Sequence, residues 1–501
     1  MDQRLKRIQV KALHDRIVSA TQAAGWIDTG MAVGLSGFTR AGDAKAVPLA
    51  LAHRGAEEGF QIDVYTGASL GSGNDGYLAQ AGVVRKRVPY QSDRLMRSAI
   101  NSGAVLFVDH HLSQTAEWIR SGVAGSIDFA IIEALGITKE GLLIPTTSVG
   151  NSAVFAHHAK ELIIEINTSQ PLELQGLHDC YEPEPIGRRR PIPLVSPSDR
   201  IGMAGIPIDM SKVKGIVWTD QPDSPSPIEP PGAETDVMAG HLLEFLRGEV
   251  RAGRLTETLA PIQSGIGSVA NAVLQGLLDS EFHDLELYSE VLQDTVFDLL
   301  DSGKAIFASG SAITLSAPYM DRIYNDLGRY SDRLVLRPQE ISNHPEIIRR
   351  LGLISINTAL EFDLYGNVNS THVAGTNMMN GIGGSGDFGR NAQIAIFVTK
   401  STAKDGRISS VVPFVSHVDH TEHDVDVVVT EYGYADIRNL APRERAQRIV
   451  ANCVHPDYRA QLEEYLLRAE ALGGHTPHVL DEALSWHAHY KAQGTMLKKS
   501  P

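Results

Sequence analysis

Residues 259–278 read LAPIQSGIGSVANAVLQGLL: a short apolar run, a glycine turn, then apolar residues at helical spacing. That is a strand running through a turn into a helix. Residues 34–53 follow the same plan, with Gly34-Leu35-Ser36-Gly37-Phe38 leading into the helix-like AKAVPLALAH. Four further matches occur in the same order. DVYTGAS (63–69) faces ELYSEVL (286–292), and SGAVLFVDHHLSQ (102–114) faces SGKAIFASGSAIT (302–314). IIEALGITKEG (131–141) faces ALEFDLYG (359–366), with three residues inserted in the first copy. GNSAVFAHHAKELIIEIN (150–167) faces GGSGDFGRNAQIAIFVTK (383–400). Five matches in one order point to two homologous halves.

Between the halves, WTDQPDSPSPIEPPGAETD (218–236) has the five prolines and the acids of a linker. A helix is expected from about Asp236, on the apolar spacing VMxxxLLxFL. The expected domains are therefore 1–220 and 236–501. Short runs such as AIIEA, LIIEIN, GIVW, IAIFV and DVVVT alternate with helical stretches. Strands of that composition are buried on both faces, so each half should be an open, mostly parallel α/β sheet. Sites in such sheets form at the carboxyl ends of strands, which places the expected site in a cleft between the halves.

Composition limits the function. The chain has 501 residues, 43% of them hydrophobic, and a formal net charge of −15. That charge argues against nucleic acid or an anionic membrane as the main partner. Cys180 and Cys453 make no disulfide framework, which suits a reducing compartment. MDQRLKRIQVKALHDRIVSA reads as an amphipathic charged helix rather than a secretory signal, and no apolar run approaches the roughly 18 residues of a membrane span. A cytoplasmic enzyme is expected.

Glu290 is the residue that asks for an explanation. Leu285-Glu286-Leu287-Tyr288 alternates like a strand, and Val291, Leu292 and Phe297 to Leu300 look helical. A glutamate in a helical first turn would serve the helix dipole. The first copy, however, has Tyr65-Thr66-Gly67 where the second has Tyr288-Ser289-Glu290. The glycine loops differ in the same sense: Val149-Gly150-Asn151-Ser152 becomes Ile382-Gly383-Gly384-Ser385-Gly386. The second half alone carries the extra carboxylate and the barer loop, which favours a nucleophile. NGIGGSGDF also contains G-x-G-x-x-G, but without the preceding strand and following acid of a dinucleotide site. Its glycines suit close approach of a ligand to backbone amides, as in an oxyanion hole.

YSEVLQD, PIQSGIGSVANAV, RPQEISNHPEIIRRLG, LYGNVNSTHVAG, MMNGIGGSGDF, VSHVDHTEHDVDVVVTEYGYADIR and HTPHVLDEALSWH together resemble the acetyl-CoA hydrolase/transferase family of CoA-transferases, in its succinyl-CoA:acetate and propionyl-CoA:succinate branch. The resemblance spans nearly the whole chain. It implies a two-domain α/β fold, a homodimer, and no metal or resident cofactor, with coenzyme A as substrate and covalent intermediate. Succinate, acetate and propionate are the implied acids. The nucleophile of the YSE motif falls on Glu290, and the oxyanion amides on Ile266 and Gly384. CoA contacts fall on Ile262, Gln263, Ser264, Gly265, Ile266, Leu360, Asn380, Gly384 and Lys404, and a substrate-positioning role on Asn343. Some succinyl-CoA:acetate enzymes carry an arginine in the inter-domain segment, but this chain has no basic residue between Lys214 and Arg247. The resemblance therefore does not fix a dicarboxylate preference.

The chemistry explains the glutamate. A carboxylate of ordinary pKa, about 4.3, is ionised at neutral pH and can attack a thioester. The resulting anhydride and glutamyl-CoA thioester each exchange one acyl bond for another. Hydrolysis with water as acceptor, and a catalytically silent α/β ligand-binding regulator, are the competing readings. His417, His420 and His423 have metal-like spacing, but the reading here is a hydrogen-bonded loop without metal. Arg188-Arg189-Arg190 reads as a solvated face.

Overall fold

The computed structural model describes residues 3–224 and 232–497. Part of the expected linker therefore lies outside the described residues. Up to residue 224 the main elements are β1 (Ala32–Leu35), α1 (Ala46–Glu58), β2 (Ile62–Tyr65), β3 (Val84–Val88), β4 (Leu106–Phe107), β5 (Phe129–Ala134), α2 (Ser152–His158), β6 (Glu161–Asn167) and β7 (Val213–Thr219). From residue 232 they are α3 (Ala233–Arg251), β8 (Ile262–Ser264), α4 (Ser268–Leu278), β9 (Leu285–Tyr288), α5 (Asp294–Asp301), β10 (Ala305–Gly310), β11 (Leu334–Leu336), β12 (Ile354–Thr358), α6 (Ser385–Asn391), β13 (Ile394–Val398), β14 (Val427–Thr430) and β15 (Gly433–Asp436).

Two compact units result, and they do not follow the sequence halves. Residues 287–300 and 306–351 cluster with the chain up to residue 224; residues 232–286, 301–305 and 352–497 form the other unit. The first unit is built on a parallel sheet of order β7-β6-β5-β1-β2-β3-β4. Its central strands β1, β2, β5 and β6 are buried on both faces, as their Val/Ile/Leu runs require, and Val33, Leu35, Leu51, Val64, Ile131 and Val217 share one core. The second unit lays β8, β12, β13 and β14 side by side in parallel and closes with antiparallel β15. Its core gathers Phe362, Phe397, Val428, Tyr458, Leu462 and Trp486.

The duplication is visible in the ladders. Strand order β1-β5-β6-β7 in the first unit is the order β8-β12-β13-β14 in the second, all parallel. Leu35 pairs with Ile131 as Ser264 pairs with Ile356. The next amide then extends each ladder, Ser36 N–H to the Ile131 carbonyl (2.9 Å) and Gly265 N–H to that of Ile356 (3.0 Å).

Three sequence expectations need correction. The match of 102–114 with 302–314 is out of register. The Thr66 N–H bonds Val88 on β3, while the equivalent Ser289 N–H bonds Ser309 on β10, so β10 corresponds to β3 and β11 to β4. The shared Ser-Gly marks a helix end in both places, with Gly103 and Gly303 left-handed at φ 80° and 76°. The N-terminal segment is two short 3₁₀ turns, Gln3–Arg7 and Lys11–Arg16, not one helix. Ile8 and Ile17 are drawn out of any helix into bridges with Ile137 and Ile216. Last, Val291–Leu292 is a strand paired with Ala312–Ile313, and the helix starts only at Asp294. Among the described residues no helix is long and apolar enough to cross a membrane.

Candidate active site

Glu290 stands between two strands, beyond the end of β9. With α5 starting four residues later, it does not occupy a helical first turn, and the helix-dipole explanation fails. Its backbone is fixed: the Glu290 carbonyl accepts from the Ser311 (2.7 Å) and Ala312 (3.0 Å) N–H groups. Gly310 lies so close that a Cβ there would sit 2.8 Å from Leu292 Cγ. The side chain remains partly exposed.

The carboxylate is held by Asn343, whose Nδ2 donates to Glu290 Oε1 at 2.7 Å. Asn343 is fully buried and caps the short helix Gln339–Ser342. That helix is itself pinned from several sides. The Tyr288 hydroxyl donates to the Ile341 carbonyl (2.7 Å), Gln339 N–H to the Gly150 carbonyl (2.9 Å), and Gln339 Nε2 to the Leu112 carbonyl (2.8 Å). Burial raises the Tyr288 phenol above its usual pKa, so it stays a donor. The buried Arg337 guanidinium binds Ser309 Oγ (2.9 Å) and the Asp179 carboxylate. Glu340 pairs with Arg120 at 2.8 Å; burial pushes its carboxyl up to about 7, against the pull of that arginine. His344 is lowered to about 4 by burial and by Arg189, Arg350 and Arg120, so it is neutral beside Asn343 at pH 7.

The other sequence candidates belong to the second unit. Ile262 and Gln263 are buried in β8, and the Gln263 amide is spent on β12: Nε2 donates to Asn357 Oδ1 (3.2 Å) and Oε1 accepts from Ile356 N–H (3.2 Å). Ser264 closes the strand, and Gly265 and Ile266 leave it, Ile266 being 44% exposed. Gly267 (φ 110°) is the N-cap of α4 and brings no side chain to the helix N-terminus. Leu360 is half-buried and donates its N–H to the Asn369 carbonyl (2.9 Å). Asn380 is half-buried, and Gly384 is the buried N-cap of α6. Lys404 is exposed and left-handed (φ 54°) at the tip of the hairpin Thr402–Ala403/Ile408–Ser409. So the structure joins Glu290 to Asn343 in one unit, and the glycine-loop candidates lie in the other.

His420 is buried, 3.0 Å from Ser370 Oγ and 3.1 Å from Ser385 Oγ, and stacks on Phe397; His417 stacks on His372. Among the described residues no group of three or more His, Cys, Asp or Glu side chains is placed to hold a metal. Arg189 is not part of a solvated face, since it pairs with Glu117 at 2.5 Å. Burial raises both thiols, Cys180 and Cys453, far above their usual pKa. Sequence reasoning missed the scaffolding by Arg337 and Gln339, because neither partner residue is near in sequence. It also missed a fully buried charge cluster on Lys45, described below.

Comparison with known proteins gives the family. The model of the acetyl-CoA hydrolase/transferase N-terminal domain matches residues 1–209, and that of the C-terminal domain residues 320–466. The chain is 50% identical over 494 residues to a succinyl-CoA:acetate CoA-transferase of Clostridium kluyveri, covering 98% of this chain and 92% of the relative. It is 43% identical to the propanoyl-CoA:succinate CoA transferase of Escherichia coli (96% and 98% covered) and 42% identical to an acetyl-CoA hydrolase of Schizosaccharomyces pombe (93% and 92%). In fold it is similar to RipA from Yersinia pestis, with a TM-score of 0.70 at 21% identity (92% and 99%), and to a 4-hydroxybutyrate CoA-transferase from Porphyromonas gingivalis, with 0.63 at 22% (91% and 99%). A mostly parallel α/β chain with a carboxylate at a strand end, matched by both domain models, belongs to the acetyl-CoA hydrolase/transferase family.

Proposed function

We propose that the protein is a CoA-transferase moving CoA between short-chain acyl-CoA and free carboxylates, first of all succinyl-CoA and acetate, with Glu290 as nucleophile. The observation that carries this reading is the 2.7 Å bond from the buried Asn343 amide to Glu290 Oε1. A carboxylate anchored by one oxygen at a strand end is oriented for attack. Its attack on the thioester carbonyl forms a C–O bond and, as the C–S bond breaks, releases CoA thiolate and leaves an acyl-glutamyl anhydride. The thiolate then attacks the glutamyl carbonyl, freeing the first acid as its carboxylate and leaving glutamyl-CoA. The acceptor carboxylate reverses the sequence, so thioester energy is retained. On this reading the amides of Ile266 and Gly384 meet the tetrahedral oxyanion, and Ile262 to Ile266, Leu360, Asn380, Gly384 and Lys404 contact CoA. CoA is a substrate, and the working form is a homodimer.

The 50% identity to a succinyl-CoA:acetate enzyme supports transfer over hydrolysis. The relatives named acetyl-CoA hydrolases keep hydrolysis as the second reading. Water is present at tens of molar, but positioning a carboxylate acceptor is worth effective molarities of roughly 10⁵ to 10⁸ M. Transfer from succinyl-CoA to acetate should therefore exceed hydrolysis by about a hundredfold or more. Incubated with acyl-CoA and no acceptor, the protein should accumulate a CoA adduct on Glu290, visible by mass, and Glu290→Ala should lose transfer and hydrolysis together. An adduct on another residue, or an active Glu290→Ala, would end the mechanism; hydrolysis equal to transfer would favour the second reading.

A further inference from the structure

A cavity of about 350 Å³ opens in the first unit, beside the turn Gln3–Arg7. Arg4, Lys6 and Arg7 are among the residues that line it, with the buried Leu135, Ile137 and Ile144. No carboxylate occurs among the described residues lining it, in a chain of net charge −15. Neither the family's nucleophile nor its proposed CoA contacts are here. The volume lies within the usual range for small-molecule sites, roughly 300–1,000 Å³.

The internal repeat gives this cavity its meaning. Leu135 follows β5 as Leu360 follows β12, and each enters an antiparallel hairpin: Gly136 faces Ile144, and Glu361 faces Asn369. The two leucine amides make the same bond, Leu135 N–H to the Ile144 carbonyl (2.8 Å) and Leu360 N–H to that of Asn369 (2.9 Å). A further segment runs parallel to each hairpin, Ile8 beside Ile137 in the first unit and Val411 beside Phe362 in the second. Just before that segment the chain is cationic both times: Arg4, Lys6 and Arg7 precede Ile8, and Lys404 and Arg407 precede Val411. The cavity thus stands beside Leu135, the first-unit counterpart of Leu360, with a cationic segment leading into the parallel strand in each unit.

We propose that this cavity is a second, non-catalytic site for an adenine nucleotide, either free or as the nucleotide half of CoA. The flat base would lie against the apolar lining and the phosphates at Arg4 and Lys6. Lys6 is exposed and supplies a mobile point charge. Arg7 contributes its charge while its guanidinium is committed to the carbonyls of Leu135, Asn167, Thr168 and Gln170 at 3.1–3.3 Å. The inference rests on the CoA contacts proposed above for Leu360 and Lys404.

Calorimetric titration of the full chain with CoA and, separately, with ADP tests it. CoA should bind at two sites per chain. The double variant Arg4→Glu/Lys6→Glu should remove one of them and weaken any ADP binding at least tenfold. Its transfer activity without added nucleotide should equal wild type. Arg7→Ala is unsuitable, because it strips a donor from four backbone carbonyls. ADP binding sensitive to the double variant marks a free nucleotide as sufficient; CoA binding alone, equally sensitive, assigns the site to the cofactor. A single CoA site, or two sites unchanged in the double variant, overturns the proposal. Lys404→Glu separates the two readings: if it alters neither binding event while the double variant removes one, the cavity stands and the contact proposed at Lys404 falls.

Discussion

The two copies of one turn have opposite fates. In the first unit the loop after β1 is closed on itself. Phe38 is 1% exposed; a Cβ on Gly67 would lie 2.5 Å from the Gly37 carbonyl oxygen; and Asn151, the N-cap of α2, sends its Nδ2 to the Thr66 carbonyl at 3.0 Å. The Glu165 carboxylate accepts the N–H groups of Lys45, Ala46 and Val47 at 2.7–2.9 Å, filling the N-terminus of α1. By register, the second copy puts Gly267 where Phe38 stands, Gly384 where Asn151 stands, Glu290 where Gly67 stands and Val398 where Glu165 stands. There the N-cap of α4 is a glycine without a side chain, and among the described residues nothing lies within 4 Å of a Cβ built on Gly267. A duplicated fold has one copy whose helix N-terminus is filled by a carboxylate and one whose helix N-cap is a bare glycine.

The first copy is sealed further by a charge cluster with no counterpart in the short second turn. Lys45 Nζ meets Glu133 Oε2 at 2.5 Å and Asp223 Oδ1 at 3.0 Å, with the lysine side chain wholly inaccessible. Burial would lower the Lys45 pKa, but Glu133, Asp223 and Asp43 outweigh it and hold the ammonium well above its usual value. Glu133 also accepts from Thr146 Oγ1 (2.7 Å) and Asn167 Nδ2 (2.9 Å). Removing the cation strands buried carboxylates. Lys45→Met should therefore cost about 3–5 kcal/mol in a denaturant melt, the largest stability loss predicted here. A cost under about 1 kcal/mol would mean that the cluster does not hold the loop shut.

The repeat, the α/β class, the strand end at Glu290 and the Gly67/Glu290 asymmetry were all legible in sequence, because each rests on local pattern: apolar runs, glycine turns and residue identity at one offset. Register failed where local chemistry imitates homology. Ser-Gly closes a helix at both 102–103 and 302–303, and the eye takes two helix ends for one repeat position. The assignment of 287–300 and 306–351 to the first unit was also invisible, since it depends on contacts such as Val149 N–H to the Ser311 carbonyl (3.0 Å), across more than 160 residues. The Lys45 cluster has the same character. Its members are scattered from Asp43 to Asp223, and no spacing announces a buried ion pair.

A middle-sized effect tests whether Gly67 is glycine from necessity. Gly67→Ala puts a methyl carbon against a backbone oxygen that cannot move without Phe38 and Gly150. The overpacking should cost about 1–3 kcal/mol, read as a lowered melting temperature. Loss of activity without loss of stability would show instead that the closed copy takes part in the reaction.

The smallest effect on stability should come from Gly265, and it should have the opposite pattern. A Cβ there meets only the Ile356 carbonyl oxygen at 3.5 Å, an ordinary contact, and the residue lies outside the left-handed region. Gly265→Ala removes chain freedom from the unfolded state at a position the alanine can adopt, so stability should be unchanged or raised by about 0.4–1 kcal/mol. The added methyl nevertheless stands on the open turn proposed to receive CoA, where close approach to the backbone is what glycine provides. Transfer should fall at least tenfold, mainly through a higher KM for acyl-CoA, while the melting temperature holds. Gly67→Ala and Gly265→Ala thus differ in kind, one losing fold, the other keeping fold and losing chemistry. If Gly265→Ala kept full activity, the openness of the second turn would be a difference in packing alone, and the contrast between the copies would no longer point to where the substrate binds.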